Sequence, residues 1–215
     1  MSKILDMFPF TKIEFKLLVS SFFLLVVQLL FSQTDFSHNW EDFYSYNNVK
    51  DFVKIDNKIY AITDNAAFIY NTSTNTINKI SSVHGLSGKE TTSIFYSEAT
   101  HRFIIGYLSG MIEIIDDDGK ITIANDIERL DITGQKQIND ISEFEGVLYL
   151  STPFGIVQYD ILNLNFGDTY YIDENSNPVF VNQTVIIDEI IYAATVKGIY
   201  TANITDPNLI DFNNW

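Results

Sequence analysis

Apolar residues in this chain fall into short runs, closed every few positions by Gly, Asp, Asn or Pro. Gln137-Ile138-Asn139-Asp140-Ile141-Ser142-Glu143-Phe144 alternates apolar and polar, the period of a half-buried strand. Glu145-Gly146 supplies a tight turn, because an acidic-Gly pair tolerates the positive φ that a two-residue hairpin requires. Val147 to Ser151 is nearly continuous apolar, as suits a strand covered on both faces. Pro153-Phe154-Gly155 turns again, Ile156 to Asp160 forms a third strand, and Asp168 to Ile172 an outer fourth. Four antiparallel strands on short turns make one propeller blade.

The same plan recurs. Strands are predicted at Val49 to Ile55, Lys58 to Thr63, Phe68 to Asn71 and Thr76 to Ser81, and again at Thr92 to Tyr96, Arg102 to Tyr107, Met111 to Ile115 and Lys120 to Ile123. A last set covers Phe180 to Ile187, Ile190 to Thr195 and Ile199 to Ala202. Small residues anchor the four units at Ala67, Gly110, Gly155 and Gly198, spaced by 43, 45 and 43. Repeats in the low forties, all strand and with no helical periodicity, predict a β-propeller with blades at about 41–86, 87–133, 134–177 and 178–215. Trp40 lies 27 residues before Ala67 and Trp215 lies 17 after Gly198, offsets that together make one period of 44. The two Asn-Trp pairs thus hold the same phase, and the four blades read as part of a larger ring of about six to eight. A closed four-bladed ring is the alternative.

The N-terminus follows a different pattern. Lys3, Lys12 and Lys16 precede an apolar run from Leu17 to Phe31, short for a membrane span and typical of a secretory signal peptide. Cleavage is expected near Ser32 and Gln33, which makes 1–32 the signal and 33–215 the propeller region. An uncleaved anchor is the alternative. Losing residues 1–32 removes three of 13 bases and two of 28 acids, leaving 10 and 26 and a formal charge of −16. That balance argues against nucleic acid and against simple attraction to an anionic membrane. With no cysteine, neither disulfides nor thiolate metal sites contribute.

Candidate chemistry is sparse. Asp116-Asp117-Asp118-Gly119 is the one dense acidic run, but it lacks the alternating oxygens and the later bidentate acid of a calcium loop, so it reads as a hairpin turn. His38, His84 and His101 fall in separate repeats without ligand partners, and Ser87 and Ser93 sit in no nucleophile elbow. Tyr44, Tyr46, Tyr60, Tyr70, Tyr149 and Tyr159 have rings that suit sugar stacking, although strand tyrosines more commonly pack between blades. No catalytic set, metal site or cofactor is expected.

Residues Gly85-Leu86-Ser87 and the later Ser109-Gly110-Met111-Ile112 resemble the blade pattern of two-component-regulator propellers. A longer series of blocks resembles the PorZ family. It comprises Ser45-Tyr46-Asn47-Asn48, Lys58-Ile59-Tyr60-Ala61, His84-Gly85-Leu86-Ser87, Ile132-Thr133-Gly134, Phe154-Gly155-Ile156-Val157, Asp168-Thr169-Tyr170-Tyr171-Ile172, Tyr192-Ala193-Ala194-Thr195, Lys197-Gly198-Ile199-Tyr200 and Asp206-Pro207-Asn208-Leu209 to Trp215. This resemblance implies a non-enzymatic scaffold of the type IX secretion system of Bacteroidota, exported to the outer-membrane surface. It further implies an attachment complex with the sortase PorU and with PorV and PorQ, in which anionic lipopolysaccharide is delivered to the sortase. The family's second propeller and C-terminal domain have no counterpart here, so lipopolysaccharide contact would involve regions absent from this chain. A periplasmic sensor propeller of a two-component regulator is the alternative, and a propeller lyase a third possibility.

Overall fold

The computed structural model describes residues 16–23 and 43–215. Residues 16–23 are helical and belong to a separate N-terminal unit. No described helix is long and apolar enough to cross a membrane.

The second unit contains β1 (Asp51–Ile55), β2 (Lys58–Ile62), β3 (Ala67–Asn71), β4 (Thr76–Ile80), β5 (Thr91–Ser97), β6 (Arg102–Tyr107), β7 (Ile112–Ile115) and β8 (Ile121–Ala124). It continues with β9 (Asp140–Phe144), β10 (Val147–Thr152), β11 (Gly155–Asp160), β12 (Asn165–Tyr170), β13 (Val181–Ile187), β14 (Ile190–Thr195) and β15 (Gly198–Asn203). They form sheets β1-β2-β3-β4, β5-β6-β7-β8, β9-β10-β11-β12 and β13-β14-β15, every pairing antiparallel between sequence neighbours. This is the blade plan of a propeller.

The fourth sheet has three strands. After β15 the chain carries Asn203, Asp206 and Asp211, whose side chains accept the N–H groups of Thr205, Asn208 and Asn213 at 2.8–3.0 Å. These local bonds turn the backbone repeatedly and compete with a ladder. A second departure from the expected all-strand chain is a one-turn helix, Asp126–Arg129. It buries Ile127 against Gly110, where a Cβ would stand 2.6 Å from the Ile127 Cγ2.

Successive blades pack through the two faces of each sheet. Leading-face rows run Val53-Tyr60-Ile69, Phe95-Ile104-Ile114, Ser142-Tyr149-Gln158 and Val185-Tyr192-Thr201. Ile104, Ile112 and Ile114 pack with Ile141, Leu148 and Leu150 of the next blade, and Tyr149 and Ile156 pack with Val181, Ile191 and Ala193. Between the first two blades, Ile62 and Ala67 meet Ile105, Tyr107 and Met111. The inner strands follow one another as β1, β5, β9 and β13, and the ring remains open between β13 and β1.

Hydrogen bonds repeat at the blade period. The Ile94 N–H donates to Asp51 Oδ2 at 3.0 Å, and the Thr184 N–H donates to Asp140 Oδ2 at 3.1 Å. Asp51 and Asp140 each open the inner strand of their blade. Each carboxylate therefore fixes the register of the following blade.

Candidate functional site

Antiparallel blades place the first-to-second and third-to-fourth strand turns at one end of the propeller and the remaining connections at the other. The two ends differ in how their charges are paired. At the connection end, lysines pair with acids: Lys50 with Asp64 at 3.3 Å and Glu90 at 2.9 Å, Lys89 with Glu128 at 2.7 Å, and Lys197 with Asp173 at 2.5 Å. At the hairpin end Asp56, Glu98, Asp116, Asp117, Asp118, Glu145, Asp188 and Glu189 outnumber Lys54, Lys58, Lys120 and Arg102. There, the ion pair found among the described residues is Arg102 Nε to Asp116 Oδ1 at 2.6 Å, with Arg102 Nη1 also donating to Ile161 O at 2.6 Å.

A cleft of about 380 Å³ opens at this acidic end between the first two blades. Ile69, Ile80, Ile94, Ile105 and Ile115 line its apolar part, and Lys58, Asp116 and Asp117 line its polar part. Tyr60 lies against Phe103 with ring centres 3.8 Å apart, and Phe103 meets Tyr96 at 4.8 Å. Burial, followed by the charges of Asp117 and Asp56, pushes the Tyr60 hydroxyl above its ordinary pKa, so it remains a neutral donor. The cleft combines aromatic and aliphatic surface with carboxylates, a chemistry suited to an apolar group bearing a positive charge.

The anchors are structural positions. Gly155 opens β11 at φ 149°, and a Cβ there would lie 2.3 Å from the Tyr170 carbonyl oxygen. Gly198 opens β15 at φ 136° and faces open space. Gly110 turns the chain into β7, its N–H donating to Tyr107 O at 3.0 Å. Ala67 opens β3, but Ala66 occupies the equivalent turn position. Thr63 Oγ1 donates to Ala66 O as Thr152 does to Gly155 O and Thr195 to Gly198 O. Trp215 donates its Nε1–H to Leu209 O at 2.9 Å and lies 6.0 Å from the Tyr170 ring. Trp40, Ser32 and Gln33 lie outside the described residues, as does His38.

The other candidates resolve into local roles. Asp118 accepts the Lys120 N–H at 3.0 Å in the hairpin turn, and no group of three potential metal ligands occurs among the described residues. His84 Nδ1 lies 3.2 Å from Ser81 N, and His101 Nδ1 lies 3.0 Å from the Tyr96 hydroxyl. Tyr149 and Tyr159 are core residues. Tyr44 bonds Ser82, Tyr70 bonds Asn75, and Tyr46 packs edge-on against Phe68 beneath the Lys79 ammonium.

Two features were missed in reading the sequence. Glu113 is fully buried, accepting the Ser87 N–H at 2.8 Å and the Tyr107 hydroxyl. Its signal is an acid inside the apolar run Met111-Ile112-Glu113-Ile114-Ile115. The Gly85-Leu86-Ser87 turn is thereby explained: Gly85 takes φ 103°, Leu86 is buried and Ser87 caps Glu113. The second missed feature is the Asp51 and Asp140 register bond, legible as acids whose partners lie 43 and 44 residues on.

These observations define a β-propeller built of four-stranded antiparallel blades, the fourth with three strands. The sequence profile of the type IX secretion PorZ N-terminal β-propeller domain matches residues 59–215, and the chain belongs to that family. PorZ of Porphyromonas gingivalis, an essential bacterial surface component of the type IX secretion system, is similar at 21% identity and a TM-score of 0.70. The match covers 82% of this chain and 23% of PorZ, so the chain spans about a quarter of that protein. The extracellular domain of a putative hybrid two-component system from B. thetaiotaomicron is similar at 13% identity and a TM-score of 0.60, over 78% of this chain and 23% of that one. The designed protein Ika4 matches at 12% identity and a TM-score of 0.56, over 76% of this chain and 95% of Ika4. No curated protein matches.

Proposed function

We propose that this chain is a non-enzymatic interaction module of the type IX secretion system, exported and held at the outer-membrane surface. The observation that carries this reading is the family match over residues 59–215. The same match favours it over a sensor propeller, whose likeness here is one of fold alone. In this reading the propeller contributes binding faces to an attachment complex containing the sortase PorU with PorV and PorQ. Anionic lipopolysaccharide delivered to that sortase would be held elsewhere in the assembly, since the acidic hairpin end disfavours an anionic glycan. Affinity purification of the tagged chain from the producing bacterium tests the proposal. Co-purification of the sortase and its complex partners is expected; their absence, with the chain folded and exported, would overturn it.

A further inference from the structure

The interfaces between blades share one register but not one filling. In blade three, Leu148 pairs across the sheet with Tyr159, and Tyr159 with Phe166. Those two rings pack edge-on at 4.8 Å within the cluster shared with blade two. The corresponding ladder of blade two runs Phe103, Ile115 and Ile121. Two isoleucines thus stand where two rings close the wedge one blade later. The cleft of about 380 Å³ between the first two blades is the space they leave, a size that suits a bound group.

Its mouth carries unsatisfied acceptors and stacked rings. Tyr60 stacks on Phe103 at 3.8 Å, and neither the Tyr60 hydroxyl nor the Asp117 carboxylate has a hydrogen bond or ion pair among the described residues. Asp117 and Asp56 are the charges acting on the Tyr60 hydroxyl, and Tyr96 responds to both of them and to Glu98. Arg102 is engaged by Asp116 and the Ile161 carbonyl, while Lys58 and Lys120 are exposed. Tyr96, 4.8 Å from Phe103, also lines a second hollow over Phe95 and Leu162, with Glu98, Glu143 and Glu145 around it. Glu143 there accepts the Ser97 hydroxyl at 2.9 Å, which leaves Glu98 and Glu145 unpaired among the described residues.

A long methylene stem fits aliphatic walls, and a planar cation fits both ring faces and a carboxylate. Two acidic hollows in succession, joined by Tyr96, suit a chain that bears more than one cation. We propose that the hairpin end docks an extended basic segment of a partner protein, which seats an arginine side chain in the cleft and a further basic residue over Glu98 and Glu145. The inference rests on the geometry of blades one to three and not on the secretion reading.

The test is fluorescence anisotropy of a labelled, end-blocked octapeptide of alternating arginine and leucine, titrated with the purified chain at low salt. Saturable binding is expected, and none by the same peptide with glutamate in place of arginine. Ile115→Tyr copies the filling of blade three without changing the net charge, and should weaken binding about tenfold or more. Asp117→Asn should weaken it about threefold or more. Asp168→Asn, an equal loss of charge on the outer strand of blade three, should leave it unchanged. Unfolding curves check that each variant is folded, and the comparison of Asp117→Asn with Asp168→Asn decides alone if Ile115→Tyr is not. Absence of saturable binding would overturn the proposal, as would a folded Ile115→Tyr that binds like the native chain. Equal weakening by the two aspartate variants would also overturn it, marking attraction to net charge alone. Binding of N-acetyl-arginine amide as tight as that of the octapeptide would replace the protein segment with a small ligand. Recovery or loss of sortase partners leaves every one of these outcomes as it stands.

Discussion

At the residue scale, buried polar groups divide by whether they are satisfied. Glu113 accepts bonds from the Ser87 N–H and the Tyr107 hydroxyl, and burial together with the Glu113 charge pushes that hydroxyl far above its ordinary pKa. Glu113→Ala strands both donors and opens a cavity, so denaturant unfolding should show a loss of about 2–4 kcal/mol. Tyr159 is the opposite case: its hydroxyl is buried without a hydrogen-bond partner, and burial raises its pKa to about 12. Tyr159→Phe removes an unsatisfied group and should leave stability unchanged or raise it by up to about 1 kcal/mol. Asp140 adds a pH dependence. Burial raises its carboxyl to about 6 and the Asp51 charge adds to this, against the N–H bonds from Thr184 and Ile141. The folded carboxyl thus holds its proton more tightly than the unfolded chain does, and protonation favours folding. This contribution is fully present below about pH 4 and is lost as pH rises through about 6, on the order of 2–3 kcal/mol. Relative to Asp140→Asn, the native chain should gain stability between pH 7.5 and 4.5 in parallel denaturation curves. A constant difference would contradict the assignment.

At the element scale, the strands were legible because apolar alternation and turn residues agreed. Arg102 to Tyr107 and Ile190 to Thr195 occupy the spans read from the sequence, and the other strands shift by a few residues at their ends. The hairpin at Glu145-Gly146 adopts φ 48° and 79°, as its sequence indicates, but Asp188-Glu189 adopts φ 50° and 63° without any glycine. There the flanking strand pairing imposes the turn on residues that do not prefer it. The one-turn helix at Asp126–Arg129 was not legible, since four residues are too few to show a period. The glycine anchors look alike in sequence yet differ in what surrounds them. Gly155→Ala places a methyl group against the Tyr170 backbone and should cost about 3 kcal/mol or more. Gly198→Ala meets nothing within 4 Å and carries only the backbone strain of φ 136°, about 1–2 kcal/mol. Thermal melts of the two variants should differ accordingly, with Gly155→Ala the lower.

At the scale of the whole molecule, the aromatic cleft was only half legible. Tyr60 and Asp116 to Gly119 stood out in the sequence, but Phe103 reaches Tyr60 from the neighbouring blade, a contact 43 residues distant along the chain, with Tyr96 packed behind Phe103. Repeat order alone does not say which rings meet. Stability should likewise vary around the arc, because each blade contributes only through its neighbours. The second and third blades are covered on both sides, and the cluster between them joins Ile104, Ile112, Ile114, Leu148, Leu150 and Val157. The fourth blade is covered on one side and has no outer strand. Hydrogen exchange should therefore run slowest in β6, β7, β10 and β11 and faster in β13 to β15. A uniform protection pattern would mean that the four blades unfold as one unit.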